Sequence, residues 1–286
     1  MNKDIESIKP REKLTPFPEL DLVMIEHANK LKETLKDNFI GYYLTGSLAV
    51  GDFDRTSDVD FIVVTKSEPS KEELDAVSEI HKATYNQDNR WVKRLEYSLF
   101  PFELLKEASS PYIDAEVNSY DAKKLWYFDN GSLKIERSDH DNNLVNRWVL
   151  REKGIAVLGP DPKTLVNPVS SSELQREIKD TIIYWGEELL KDSKPYENRF
   201  YQAYLVLNFC RMFQDYNEAR ITSKLDGVKW GKTNLNKKWM ELIDYCWQER
   251  QDENINTRQP KDPRVFKQSL AFVEYIVNLA KNSEKN

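Results

Sequence analysis

Two apolar periods alternate along the first half of this chain, and only one runs through the second. From Glu19 to Asp37 the apolar positions Leu20, Val23, Ile25, Ala28, Leu31 and Leu35 recur at roughly helical spacing, which predicts an amphipathic helix. Phe39 to Leu44 reads as a strand, and Leu48 to Gly51 as a helix start or a turn. Val59 to Val64, rich in β-branched residues, predicts a second strand. Lys71 to Asn86 returns to the helical period, with Leu74, Val77, Ile80, His81 and Tyr85 on one side. Arg94 to Phe100 predicts a third strand, where Leu95, Tyr97 and Leu99 alternate with Glu96 and Ser98. Leu125–Phe128 and Leu133–Glu136 flank Asn130–Gly131, a dipeptide suited to a tight hairpin turn. Asn143 to Lys153 predicts a helix closed by Gly154. Residues 1–17 are polar and contain proline, which predicts a loose arm.

Gly159 to Ser170 carries Pro160, Pro162 and Pro168 and has no helical period, so it predicts a linker. Beyond it the pattern is almost wholly helical. One helix opens at Ser172 and runs to about Lys191, with Glu173 in its first turn. Further helices are predicted near 197–217, 223–231, 235–250 and 263–282. The expected division is therefore residues 1–158, a linker at 159–170, and a helical bundle at 171–286. The expected class is α+β: a mixed sheet with helices, followed by an all-α domain.

Composition narrows the chemistry. The chain has 286 residues, enough for one large domain or two smaller ones, with 40% hydrophobic and 31% charged residues. Its net charge of −6 argues against a nucleic-acid partner and is compatible with a cationic substrate. Cys210 and Cys246 lie in apolar helical patterns and read as reduced core residues. His27, His81 and His140 are scattered, which argues against a zinc site. There is no charged-then-apolar leader and no apolar run of roughly 18 residues, so no membrane partner and a cytoplasmic location are expected.

One stretch, "YYLTGSLAVGDFDRTSDVDFIVVT", stands apart. Strand period puts Asp58 and Asp60 on one face, while Val59 and Phe61 turn to the core. Two carboxylates so close repel, and a divalent cation relieves the repulsion. Mg²⁺ usually takes one or two carboxylates together with substrate phosphates. Gly46–Ser47 ends the preceding strand, where glycine lets backbone N–H groups approach a ligand and Ser47 can donate to a phosphate oxygen. Gly-Ser alone occurs in many turns, and Asp-x-Asp alone on many edge strands. Their order and spacing, each joined to an apolar strand, point to nucleotidyl transfer.

The segment "LTGSLAVGDFDRTSDVDFIVV" resembles the signature of the polymerase-β-like nucleotidyltransferases. With "RLEYS", "KGIAVLGPDPKTLVNPVS", "NFCRMF" and "ITSKLDGVKW", the chain resembles the streptomycin/spectinomycin adenylyltransferases of the aminoglycoside (3'')(9) type from about residue 25 to 280. The resemblance implies transfer of AMP from ATP to a hydroxyl of a cationic antibiotic, with Mg²⁺ as cofactor, conferring resistance; a monomer is expected. It implies that Asp58 and Asp60 hold the metal and that Glu96 is the catalytic base in contact with it. It further implies that Gly46, Ser47, Ser57, Arg211 and Lys224 bind the nucleotide. Arg250 lies near a position where relatives carry an aromatic nucleotide contact. On the acceptor side it points to Trp126 and Trp185, with Glu187, Glu188, Asp192 and Glu197 as candidate acids in a helix-loop longer than in relatives. The alternatives are another acceptor (a lincosamide or a protein side chain) or a non-catalytic nucleotide-binding module.

Overall fold

The computed structural model describes residues 13–106 and 124–283. The chain divides into two compact units: residues 1–53 with 57–169, and residues 54–56 with 170–286.

Within its described residues the first unit has six strands and five helices. In chain order these are α1 (Pro18–Leu35), β1 (Phe39–Leu44), α2 (Gly46–Val50), β2 (Val59–Thr65), α3 (Lys71–Tyr85), β3 (Leu95–Pro101), α4 (Phe102–Lys106), β4 (Leu125–Phe128), β5 (Ile135–Ser138), α5 (Leu144–Lys153) and β6 (Ile155–Leu158). The strands form one sheet in the order β5-β4-β3-β2-β1-β6. β2 and β3 are parallel, and the other neighbours are antiparallel.

Alternation along the strands decides which face carries chemistry. Leu44, Phe61, Val63, Tyr97, Leu99 and Phe128 turn toward α1 and α3 and build the larger core. On that face Tyr42, Phe61, Tyr97, Phe128 and His81 form a ladder of stacked rings, with successive centroids 4.1–4.8 Å apart. Cross-strand aromatic pairs add about 0.5–1.5 kcal/mol each beyond burial, and this ladder ties β1 to β4 in one register. The intervening residues Ile62, Val64, Phe100 and Leu125 face the other way and pack on Leu105 of α4 and Leu150 of α5. Asp60, Glu96 and Tyr127 share that second face by strand parity.

α3 opens with a full capping box between Ser70 and Glu73, an arrangement worth about 1 kcal/mol for its cap. Asn143 caps α5 by accepting from Asn146 N. Residues 1–12 lie outside the described residues, but the end of the expected loose arm is held. Leu14 and Thr15 are buried, and both backbone N–H groups donate to the Asp21 carboxylate. The expected linker also differs from the structure. Residues 159–169 group with the first unit: Tyr43 donates to the Pro160 carbonyl, Arg151 donates to the carbonyls of Lys163 and Val166, and Leu165 and Val166 join the smaller core. The prolines break the helical period without freeing the segment, because side chains satisfy its carbonyls.

The second unit contains α6 (Ser171–Lys191), α7 (Arg199–Glu218), α8 (Lys224–Asn234), α9 (Met240–Arg250) and α10 (Pro263–Asn282). α7 packs against the other four and is buried along most of its length, including Cys210. Arg199 at its start grips Glu249 of α9 through two charge-assisted hydrogen bonds of 2.6 and 3.0 Å. Cys246 is buried as well, and both thiols are free. No helix among the described residues is long and apolar enough to cross a membrane.

Candidate active site

In the first unit the site is a consequence of strand register. β2 and β3 pair in parallel with Asp60 directly beside Glu96. Gly46, just past β1, has φ +52, and a Cβ there would lie 1.9 Å from Asp60 Oδ2. Glycine is required twice over, for the left-handed backbone and for the close approach. Next to it, Ser47 Oγ is buried without a hydrogen-bond partner. A buried hydroxyl of this kind suits an incoming acceptor oxygen. Ser57 is buried, and its carbonyl accepts from Arg94. Asp58 Oδ1 accepts from the Asn130 amide at the β4–β5 turn.

Glu96 lies among acids. Burial pushes its carboxyl up to about 8, helped by the fields of Asp60 and Asp58 and opposed by a hydrogen bond from Tyr127 and by His140. Tyr127 Oη donates to Glu96 Oε1 at 2.7 Å. His140 Nδ1 sits 3.2 Å from Asp141 and 3.7 Å from Glu96. The Asp141 hydrogen bond raises the His140 imidazole above its ordinary value. Since 57% of that side chain is exposed, water damps the pull. Asp141 is held in turn by Ser98 at 2.6 Å and Asn146 at 3.0 Å.

Among the described residues, no three His, Cys, Asp or Glu side chains form a ready-made metal cage. The donor set nonetheless fits Mg²⁺, which needs only one or two carboxylates and takes its other ligands from phosphate and water. Crowding of Asp58 and Asp60 around a half-buried Glu96 is the electrostatic situation a divalent ion relieves.

In the second unit Tyr204, Asn208 and Arg211 lie at i, i+4 and i+7 on α7, one face of the helix. Arg211 Nη2 donates to Asn208 at 3.1 Å, while its Nε is buried without a partner. Lys224, the first residue of α8 after its Ser223 cap, stands 5.6 Å over the Tyr204 ring. Thus the fold brings the two sequence-predicted cations to one stripe of α7. Arg250 sits 3.4 Å from Asp54, which groups with this unit.

The acceptor residues behave differently. Trp185 stacks on Phe209 at 4.9 Å, meets the edge of Tyr204, and donates to Tyr196. Trp126 must be corrected: it packs on the α1/α3 core, on the sheet face opposite Glu96, and Arg137 covers its ring. Strand alternation gives the site face to its neighbour Tyr127. The candidate acids do not converge either. Glu188 pairs with Lys191, Glu197 with Lys261 and Glu187 with Lys281, while Asp192 accepts from Lys194 N. All four are exposed, where local lysines compete with any acceptor. Tyr127, Asn130, Tyr204 and Asn208 went unpredicted; the i, i+4, i+7 spacing to Arg211 was the readable signal for the last two.

Residues 28–119 match the family model described as a nucleotidyltransferase domain, in register with the β1–β2–β3 segment. The fold and this match define the protein as a nucleotidyltransferase. Residues 164–277 match the model described as aminoglycoside adenylyltransferase, C-terminal domain. Spectinomycin 9-adenylyltransferases from Staphylococcus aureus strains Mu50 and N315 are each 25% identical to the chain over 263 residues, covering 91% of it and 94% of the relative. A crystal structure of spectinomycin adenyltransferase AAD(9) from Enterococcus faecialis, with ATP and spectinomycin, superposes with a TM-score of 0.64 at 16% identity. It covers 92% of this chain and 99% of that one. With both domains matched in order, the chain belongs to the aminoglycoside adenylyltransferase family.

Proposed function

We propose that this enzyme transfers AMP from ATP to a hydroxyl of an aminocyclitol antibiotic of the spectinomycin or streptomycin kind, releasing pyrophosphate and conferring resistance. The observation that carries the chemistry is the register of Asp60 beside Glu96, with Gly46 pressed against the Asp60 carboxylate. The acceptor class is supported by the named activity of the Staphylococcus aureus relatives. ATP as the donor is supported by the ligands of the Enterococcus faecialis structure.

In this reading Glu96 takes the proton of the attacking hydroxyl, the new bond forms at the α-phosphorus, and the bond to the β-phosphate oxygen breaks. Ser47 donates to a phosphate oxygen, which gives its buried hydroxyl a partner. Arg211 and Lys224 supply long cations for the remaining phosphate charge. Asp58 and Asp60, with Glu96 at the edge, would hold Mg²⁺, which supplies positive charge to the triphosphate. Charge attracts the ammonium groups of the acceptor to an acidic protein of net charge −6. The test is pyrophosphate release from ATP, with Mg²⁺ and with chelator, against spectinomycin, streptomycin, other aminoglycosides and a lincosamide. The expected result is metal-dependent release with spectinomycin or streptomycin and a product heavier by one AMP residue. Release confined to the lincosamide, or none with any acceptor, overturns the assignment.

A further inference from the structure

Glu96 needs to be aimed as well as deprotonated. A glutamate on a strand has three rotatable bonds, and on one side its nearest cross-strand neighbour is Asp60, an acid that repels it. On the other side β3 and β4 pair antiparallel, with Ser98 opposite Tyr127 and Tyr97 opposite Phe128. Tyr127 is therefore the diagonal neighbour of Glu96 on the same face, a distance that an aromatic side chain spans. Its hydroxyl donates to Glu96 Oε1 at 2.7 Å. The ring is 5% exposed, so the hydroxyl has little freedom to swing away. His140 Nδ1 approaches the same oxygen only to 3.7 Å, beyond hydrogen-bond distance. Ser98 donates to Asp141, and His140 Nδ1 lies closer to Asp141 than to Glu96.

We propose that Tyr127 is the positioning residue of the base. It ties down one oxygen of Glu96 on the side away from Asp60 and leaves the other oxygen to face the acceptor hydroxyl. The inference rests on Glu96 being the base, so the experiment separates the two. Tyr127→Phe removes one oxygen and keeps the packed ring, so its melting temperature should stay close to wild type. It should lower kcat roughly 10- to 100-fold and leave KM for ATP within about twofold, because aiming matters only at the chemical step. Tyr127→Phe placed in a Glu96→Gln background should then cost less than about twofold further, since the residue acts through Glu96. A residue that merely supports the fold would show the same fold-loss in both backgrounds, and that result overturns the proposal. Wild-type kcat in Tyr127→Phe, with Glu96→Gln inactive, overturns the positioning role and leaves the base intact. Near-normal turnover in Glu96→Gln removes both.

Discussion

Two glycines five residues apart offer a controlled test of the site. Gly46 and Gly51 both adopt left-handed backbone, at φ +52 and +82. Alanine at either position costs about 1–2 kcal/mol of backbone strain. Their surroundings differ. A Cβ at 51 meets nothing within 4 Å, whereas one at 46 would lie 1.9 Å from Asp60 Oδ2, 2.5 Å from its Cγ and 2.8 Å from its Cβ. An unstrained carbon contact needs ~3.5 Å. Rotating the carboxylate removes the first two clashes but not the third, because the Asp60 Cβ is fixed by β2. The strand itself must therefore move, and a shift of about 1 Å at reacting groups costs roughly a hundredfold in rate. Both variants should lose stability in urea denaturation through the shared backbone strain, and Gly46→Ala should lose more, because the strand shift adds to it. AMP transfer at saturating substrates should fall about a hundredfold or more in Gly46→Ala and stay near normal in Gly51→Ala. Equal rates in the two variants would refute the steric coupling of Gly46 to Asp60.

Two further predictions address the nucleotide cations and the core. Arg211→Ala and Lys224→Ala should each weaken ATP binding by about 1.5–3 kcal/mol, roughly ten- to a hundredfold by calorimetry. Lys229→Ala, exposed on the same helix as Lys224, should change it little. His27 is buried beside Tyr42, and burial, with smaller contributions from His81 and Lys30, lowers its imidazole from 6.5 to about 3. The unfolded chain therefore binds this proton first, so stability is full above pH 6.5 and declines as pH falls toward 3, by about 2 kcal/mol at pH 5. His27→Phe should flatten that acid limb of the stability–pH curve, leaving the part due to His81, which burial also lowers. An unchanged limb would mean that His27 takes no part in it.

The elements that carry the chemistry were legible because period and parity are local. Val59–Thr65 and Leu95–Pro101 follow from their alternation, and Asp60 with Glu96 follows from parity plus the motif. β6 escaped because Ile155–Leu158 is only four residues long, between Gly154 and a proline-rich run, and pairs with a strand more than a hundred residues earlier. The second hairpin strand begins at Ile135 rather than Leu133, because Ser132 folds back on Lys134 and lengthens the turn. Trp126 was placed by chain position alone; a register with β3 was needed to see that Tyr127, not Trp126, shares the face of Glu96. The acids around Glu187–Glu197 could not be sorted, because their lysine partners come from sequence neighbours in some cases and from Lys261 and Lys281 in others.

The parallel pairing of β2 with β3 also sets where this gene can tolerate length change. The two strands are joined by α3 and the turns around it, and residues 86–90 are largely exposed. A codon gained or lost there alters the path of the connection and leaves both ends in place. A codon gained inside β3 ahead of Glu96 turns every later side chain through the sheet, sending Glu96 into the aromatic ladder and Tyr97 out among the acids. Natural drift and laboratory recombination should therefore cross this protein freely at the α3–β3 turn and almost never within the strands on either side of it.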